Sequence, residues 1–322
     1  MRPAAAIAAA VLAVVLPFAG ARGAVGDTLG AYGPDVIEKT VEVKGRGAGD
    51  FTVFLKLPEG EAKPKGVVCL CLLDGTPESV RAHLRGGGTQ GEVSRLVAYA
   101  KGKGFAVIGW GATRAWDSRA NWNELEKDKA KALDASFDAI ADAWNRAMTD
   151  LQAKHGLPAN GYVMWGLSAG GQFALRLALR KPERFAAVHA HVPSSFDMPT
   201  EAGKSVLWCL TTGENETGYR RSLEFLAAAR KKGYAIVYRA YPGRGHVSMT
   251  AAEALGRACY EYALARHAAA KGKSDMSTDF RKAAFVADVV NLKVFPLADV
   301  SCVPAGYRMS LPDELRERWL AE

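Results

Sequence analysis

Trp165-Gly166-Leu167-Ser168-Ala169-Gly170-Gly171 contains the pattern G-x-S-x-G and stands between two segments of different character. A short apolar, β-prone run, 161–165, precedes it, and a helix-prone run, 172–180, follows it and stops before Pro182. Proline disfavours continuation of a helix. A G-x-S-x-G pattern between a strand and a helix is typical of a nucleophile elbow, a sharp turn that exposes a serine hydroxyl. We therefore predict that Ser168 is a nucleophile and that the chain is a hydrolase.

Strand-like and helix-like segments alternate along the rest of the chain. Segments 36–44 and 51–57 are joined by a glycine-rich turn and predict a hairpin. The apolar run 66–73 is typical of a strand buried on both faces. Beyond it, the pattern predicts strands at 105–110, 185–192, 205–211 and 234–241 and helices at 92–103, 124–154, 221–232 and 251–270. We therefore expect an α/β fold with a doubly wound, mainly parallel sheet and an N-terminal antiparallel hairpin. Ligands bind at the carboxyl ends of the strands in such sheets, which is where Ser168 would lie.

The length and composition suit one large domain with a C-terminal extension. The chain has 322 residues, of which 49% are hydrophobic, so it can bury a large core. We predict a catalytic domain at 26–270 and an extension at 271–322 that packs on it. The extension contains strand-like segments at 283–289 and 300–304 and a helix at 312–321. A separate binding module is the alternative interpretation.

The N-terminus has the pattern of a secretory signal peptide. Arg2 precedes an apolar run, 4–18, which is followed by small residues. The run is short for a membrane span, and no other segment is long and apolar enough to be one. We predict a signal peptide at 1–21, with cleavage after Gly23 or Ala24 as alternatives, and a secreted or periplasmic protein without a membrane span. An uncleaved anchor is the other interpretation.

Composition favours neither nucleic acid nor a cofactor as a partner. The net charge is +8, which would suit acidic polysaccharides, although scattered Lys and Arg are more typical of solvated faces. A basic stripe with interleaved aromatic residues would indicate nucleic-acid binding, and the sequence shows no such stripe. Gly86-Gly87-Gly88 lacks the lysine of a phosphate loop, and no cysteine–histidine spacing resembles a zinc site. We therefore expect no nucleic acid, no cofactor and no metal.

The five cysteines indicate burial more than cross-linking. Cys69 and Cys71 share one face of a predicted strand, which does not suit a disulfide, and Cys209 lies on another core strand. Cys259 and Cys302 could pair in an oxidising compartment, but spacing alone does not establish connectivity.

A serine nucleophile needs a base, usually a histidine oriented by a carboxylate, and in this fold the chain order is serine, acid, histidine. Four histidines follow the elbow. His267 lies within the predicted helix at 251–270, and His189 and His191 lie in a strand. His246 lies in a glycine-rich loop, 242–246, directly after the last predicted strand of the domain. We therefore predict that His246 is the base.

The acid is expected in the loop after the preceding strand. That strand, 205–211, leads into Thr212-Gly213-Glu214-Asn215-Glu216, which offers two glutamates. Glu216 follows the strand by a short turn and is favoured over Glu214, which stays open as the alternative.

Two further parts of the site are predicted from their place in the chain. The oxyanion hole needs two backbone N–H groups, and we expect them from Ala169, after the nucleophile, and from Thr76, in the loop after the strand at 66–73. Trp116 and Trp122 lie in a long loop at the same sheet edge and could stack on a sugar or an aromatic acyl group. Packing of that loop against the domain explains these tryptophans equally well.

The segments 166–171, 213–216 and 242–246 together resemble those of the α/β-hydrolase superfamily, over about residues 50–268. Within it, the chain is similar to the secreted feruloyl esterases, acetyl xylan esterases and polyhydroxybutyrate-depolymerase-like enzymes. The resemblance implies that Ser168 is the nucleophile, Glu216 the acid and His246 the base. The chain differs from that group in having Asp74-Gly75 where the group usually has His-Gly, and Glu where the acid is more often Asp.

The sequence therefore predicts a secreted serine carboxylesterase, a serine hydrolase that cleaves esters through an acyl-enzyme on Ser168. The expected substrates are small-molecule or polysaccharide-linked esters. A peptidase of the same fold is one alternative, since a triad does not distinguish ester from amide. A hydrolase-like binding protein without catalysis is another, although the complete serine, acid, histidine order argues against it.

Overall fold

The computed structural model of the protein describes seven segments of the chain. They are residues 36–43, 49–60, 63–72, 77–85, 91–112, 127–270 and 276–321. The predicted signal peptide at 1–21 lies outside the described residues.

Eleven strands and eight α-helices are formed by the described residues. The strands are β1 (Ile37–Val43), β2 (Gly49–Lys56), β3 (Val67–Cys71), β4 (Ala106–Ala112), β5 (Tyr162–Leu167), β6 (Phe185–His191), β7 (Leu207–Gly213), β8 (Ala235–Tyr241), β9 (Phe285–Asp288), β10 (Lys293–Pro296) and β11 (Arg308–Leu311). The helices are α1 (Pro77–Leu84), α2 (Gly91–Lys103), α3 (Lys127–His155), α4 (Ala169–Arg180), α5 (Tyr219–Lys231), α6 (Thr250–Ala269), α7 (Met276–Arg281) and α8 (Asp313–Leu320).

The first eight strands form one sheet in the order β1-β2-β4-β3-β5-β6-β7-β8. β1 pairs with β2, and β2 with β4, in antiparallel fashion, and the strands from β3 to β8 are parallel to their neighbours. Every residue of β6, β7 and β8 is buried, as expected of parallel strands covered by helices on both faces. The predicted fold class, including the N-terminal hairpin, is confirmed.

The sheet places the loops of interest at one edge. β5 lies between β3 and β6, and β6, β7 and β8 follow in order, all parallel. Their carboxyl ends therefore meet at the same edge, which is the position of ligand sites in open α/β sheets. Ser168 follows β5 in the middle of this edge.

The C-terminal residues form a small second sheet beside β8. β9 pairs with β10 and β11 in antiparallel fashion. The Trp319 side chain is fully buried, and its Nε1–H donates to the carbonyl oxygen of Tyr238 at 2.7 Å. Within the part of the chain that the structure describes, no helix has the length and apolarity needed to cross a membrane.

One expectation for this region is wrong, and one question that the sequence left open is answered. The strand-like segment 300–304 overlaps a 3₁₀ helix, Leu297–Cys302, because the chain turns between Pro296 and Pro304 and neither proline can donate a sheet hydrogen bond. The suggested pairing of Cys259 with Cys302 is absent, since both thiols are free. Cys259 is buried against the sheet, whereas Cys302 is exposed.

Candidate active site

Ser168 occupies a strained turn between β5 and α4. Its backbone has φ 55° and ψ −120°, a region that residues with a side chain rarely adopt and that costs about 1–3 kcal/mol. Two backbone hydrogen bonds hold it there. The Ser168 N–H donates to the carbonyl oxygen of His191 at 2.9 Å, and the Ser168 carbonyl accepts from Gln172 N–H at 3.0 Å. Strain of this kind presents the serine side chain at the strand end.

Two glycines permit the close crossing of strand and helix at this turn. A Cβ atom on Gly166 would overlap the carbonyl group of Gly170. A Cβ atom on Gly170 would overlap the carbonyl oxygen of Cys71 on β3. In both cases the obstacle is backbone, which cannot move aside as a side chain does. The glycines of the G-x-S-x-G pattern are therefore required by packing.

Glu216 and His246 are brought together by the loops after β7 and β8. His246 Nδ1 lies 2.9 Å from Glu216 Oε2, although the two residues are 30 positions apart. The Glu216 side chain is 4% exposed and the His246 side chain 51% exposed. The loops are joined by a backbone bond from Asn215 N–H to Arg244 O at 2.8 Å. A buried carboxylate thus orients an accessible imidazole, which is the arrangement that a general base requires.

The contact shifts the pKa of both groups. Burial raises the pKa of the Glu216 carboxyl, but the hydrogen bond and charge of His246, the Thr217 hydroxyl and the Gly218 N–H lower it overall. The hydrogen bond from Glu216 raises the pKa of His246, against burial, which lowers it. The carboxylate is therefore ionised and stabilises the imidazolium that forms when His246 takes a proton.

Glu214, the alternative acid, points elsewhere. Its residue is exposed, and its Oε2 accepts the backbone N–H of Gly243 at 3.2 Å. The pair at hydrogen-bond distance is Glu216 and His246. The structure thus places the favoured glutamate, not the alternative, against the histidine.

The other three histidines that follow Ser168 in the chain lie in different surroundings. His189 and His191 on β6 are 1% and 2% exposed. His267 bonds to Asn160 Oδ1 at 3.0 Å, at the amino end of β5, the opposite end from the elbow. His191 links the two halves of the site: its carbonyl accepts the Ser168 N–H, and its Nε2 donates to the carbonyl oxygen of Val247, at 2.9 Å each.

Of the four remaining predicted site residues, the structure describes only Ala169. Ala169 is the first residue of α4, so its N–H belongs to the positive end of a helix and suits a developing negative charge. Thr76, Trp116 and Trp122 lie outside the described residues. Within the described segments, no group of three or more His, Cys, Asp or Glu could hold a metal ion.

Two contributors at the site were not found from the sequence. The Thr217 hydroxyl donates to Glu216 Oε1 at 2.9 Å, and His191 bridges the segments of Ser168 and His246. A signal was present for His191, because its two-residue spacing from His189 at a strand end places both on one face. No local signal points to Thr217.

Comparison with known proteins gives one family match. A family model described as “Putative esterase” matches residues 48–272, which is more than half of the chain. No curated protein matches.

Several solved structures are similar to this one. A protein described as a ferulic acid esterase is 16% identical, with a TM-score of 0.45 over 71% of this chain and 96% of that chain. An S-formylglutathione hydrolase from Staphylococcus aureus is 13% identical, with a TM-score of 0.47 over 71% of this chain and 97% of that chain. A fungal esterase from Rhizomucor miehei is 12% identical, with a TM-score of 0.49 over 75% of this chain and 87% of that chain.

Proposed function

The chain belongs to the family described as “Putative esterase”, and from that premise we propose that it is an exported serine carboxylesterase that works through an acyl-enzyme on Ser168. The observation that carries the proposal is the Glu216–His246 contact of 2.9 Å at the sheet edge where Ser168 sits with φ 55°. A nucleophile in a strained turn and a histidine paired with a buried carboxylate are the parts that acyl transfer needs.

Acylation begins when His246 takes the Ser168 hydroxyl proton while Oγ bonds to the ester carbonyl carbon. The carbonyl electron pair moves onto oxygen, and the Ala169 N–H, with a second donor predicted at Thr76, stabilises the oxyanion. Each such donor is worth about 10²–10³-fold in rate. The intermediate collapses, the C–O bond to the alcohol breaks, and the alcohol leaves with the proton from His246.

Deacylation repeats the sequence with water. His246 takes a proton from a water molecule, whose oxygen bonds to the acyl carbon, and collapse releases the acid and returns the proton to Ser168. Glu216 stays ionised throughout and stabilises the imidazolium in both halves.

Export and a polymer-linked substrate belong to the same proposal. The predicted signal peptide at 1–21 supports a secreted or periplasmic location, and the net charge of +8 suits esters carried on acidic polysaccharides. Trp116 and Trp122 are the proposed stacking residues for the sugar or the acyl group.

Labelling with a fluorophosphonate tests the catalytic claim. The expected result is one labelled peptide containing Ser168, labelling lost in Ser168→Ala, and labelling kept in Ser205→Ala, an exposed serine before β7. An unlabelled protein, or one still labelled after Ser168→Ala, would refute the acyl-enzyme. Aryl, acetyl-sugar and feruloyl esters compared with peptide anilides then separate an esterase from a peptidase.

A further inference from the structure

The mechanism above leaves two buried histidines of β6 unused, and they form a hydrogen-bonded chain with Thr211 of β7. His189 Nε2 and His191 Nδ1 each lie 2.7 Å from the Thr211 hydroxyl oxygen. His191 Nε2 lies 2.9 Å from the carbonyl oxygen of Val247. The three side chains are at most 2% exposed. This hydrogen-bonded chain of side chains therefore leads from the core to Val247, the residue that follows His246.

Elementary chemistry assigns the protons along this chain. A carbonyl oxygen only accepts, so His191 Nε2 carries a hydrogen. Burial lowers the pKa of His191 to about 4, although the carbonyls of Val247 and Thr211 raise it, so the ring is neutral and Nδ1 is an acceptor. The Thr211 hydroxyl must donate its hydrogen to that Nδ1 and accept from His189 Nε2. Both rings are thus Nε2–H tautomers.

Burial, more than the charged groups around the two rings, keeps them neutral. Glu253 on α6 raises the pKa of His191, and His246 in the adjoining loop lowers it, but burial is the dominant influence. Burial, His191 and Arg257 on α6 all lower the pKa of His189. The chain of donors and acceptors therefore keeps one direction across the neutral pH range.

The end of β6 is held under backbone strain at the same place. Val192 follows His191 with φ 45°, which is costly for a β-branched residue. Its N–H donates to the carbonyl oxygen of Thr211 at 2.8 Å, while the carbonyl of His191 accepts the Ser168 N–H at 2.9 Å. Strained backbone persists only where the surroundings determine it, so this strand end is a fixed point for the site.

We propose that His191 is a positioning residue that fixes the loop of His246 relative to Ser168. Its backbone holds the nucleophile's turn, its side chain holds the base's loop, and Thr211 and His189 keep the ring in the tautomer that donates to that loop. The inference rests on the proposed function, because positioning has meaning only if Ser168 and His246 react together.

Two substitutions of His191 separate the side-chain contact from the backbone one. Gln reaches about as far as the imidazole Nε2 and can still donate to Val247 O, whereas Asn is too short. Both keep the carbonyl that accepts from Ser168. With 4-nitrophenyl acetate, we expect His191→Asn to lower kcat per active site about 10–100-fold with KM within about threefold, since a shift of about 1 Å costs up to 10²-fold. His191→Gln should recover most of this loss.

His267→Asn is the matched control. Like His191, His267 is hydrogen-bonded, here to Asn160, but it is half-buried and lies at the far end of β5. Its replacement should leave kcat per active site within about twofold. Active sites are counted by organophosphonate titration, so that a loss of folded protein does not count as a loss of rate. The acid limb of kcat/KM should also move to lower pH in His191→Asn, because His246 then loses alignment with Glu216, whose hydrogen bond raises the pKa of His246.

The inference would be overturned if His191→Asn had the same kcat per titrated site as the parent and if its kcat/KM fell at the same acidic pH as that of the parent. If that variant does not fold, Thr211→Val, which keeps the side-chain shape, should lower kcat about 3–10-fold by freeing the tautomer, and unchanged kinetics there would overturn it equally. Histidine-selective ¹⁵N NMR of the parent should show that His189 and His191 are neutral Nε2–H rings that do not titrate between pH 5 and 8, and an Nδ1–H tautomer at either of these two rings would refute the hydrogen-bonded chain. Failure of the parent to label at Ser168 would refute the proposed function instead, and the NMR result would still test the hydrogen-bonded chain of His189, Thr211 and His191.

Discussion

Glu216→Gln is the substitution that tests the candidate site most directly. It removes the charge beside His246 and keeps the size of the side chain. The amide can also present an N–H to His246 Nδ1, which then becomes an acceptor and leaves the proton on Nε2. An imidazole in that tautomer cannot take the proton of Ser168. Both effects lower the rate, one by weakening the imidazolium and the other by removing the base.

The size of the effect follows from the geometry. With Oε2 and Nδ1 2.9 Å apart, the charge centres lie about 4 Å apart, and an effective dielectric constant of about 20 gives about 4 kcal/mol. The His246 side chain is 51% exposed, so water screens the pair and about 2–3 kcal/mol is the better figure. At 1.36 kcal/mol per tenfold, this is about 30–160-fold, and the tautomer effect brings the expected loss in kcat/KM to about 10²–10⁴-fold.

Glu214→Gln is the matched control, because the same change is made two residues away on an exposed side chain that bonds to Gly243 N–H. We expect it to change kcat/KM less than about threefold. The assay is hydrolysis of 4-nitrophenyl acetate per titrated active site. A Glu216→Gln enzyme within threefold of the parent would refute the reasoning, and a large loss in Glu214→Gln beside it would assign the acid to Glu214.

The same pair predicts a pH dependence with a definite sign. The base must be neutral, and Glu216 raises the pKa of His246 above its usual value of 6.5. Parent kcat/KM should therefore fall as pH drops through that raised pKa, and the limb should move to lower pH in Glu216→Gln. The raised pKa of His246 also affects stability. It adds to the free energy of unfolding at low pH, and this addition is lost as the pH rises through the raised pKa. The lowered pKa of Glu216 adds to the free energy of unfolding at pH values above the usual pKa of a glutamate, and this addition is lost as the pH falls through the lowered pKa.

Two stability predictions follow from packing, each measured as the free energy of unfolding in denaturant. Gly170→Ala should cost about 2–4 kcal/mol, since its Cβ would overlap strand backbone, whereas Gly102→Ala, an exposed helix position with nothing within 4 Å, should stabilise by about 0.5–1 kcal/mol. Equal effects at the two glycines would contradict the close-crossing argument. Trp319→Ala should cost about 3–5 kcal/mol, because the fully buried indole also stacks on Arg239 at 4.9 Å. The neighbouring Leu320, 43% exposed, should tolerate alanine within about 0.5 kcal/mol, and a tolerant Trp319 would mean that the C-terminal residues add little to the domain.

Local patterns were enough for the sheet and for the elbow. β5, α4 and the strands on either side were predicted from runs of apolar residues and from turn residues, which act over a few neighbours. The short helix α1, by contrast, was missed, because eight residues from Pro77 to Leu84 carry too few turns to show a period. The segment 300–304 was misassigned because its apolar residues resemble a strand, whereas the chain turns there in a 3₁₀ helix, Leu297–Cys302.

Contacts between distant loops were beyond sequence reasoning. Glu214 and Glu216 share one loop, and local spacing only favours one of them. What separates them is the backbone path after β8, which ties Asn215 to Arg244 and turns His246 towards Glu216. The tie from His191 to Val247 spans 56 positions in the chain and leaves no local trace.

The sequence by itself determined the α/β fold class, the elbow around Ser168 and the chain order in which a base had to be sought. It could do so because periodicity, glycines and prolines act on the backbone within a few residues. The tertiary structure alone decided that Glu216 meets His246 and that a neutral, buried His191 joins the loop of His246 to the turn of Ser168. Those pairings depend on where parallel strands end relative to one another, and that is settled only when the whole sheet has packed.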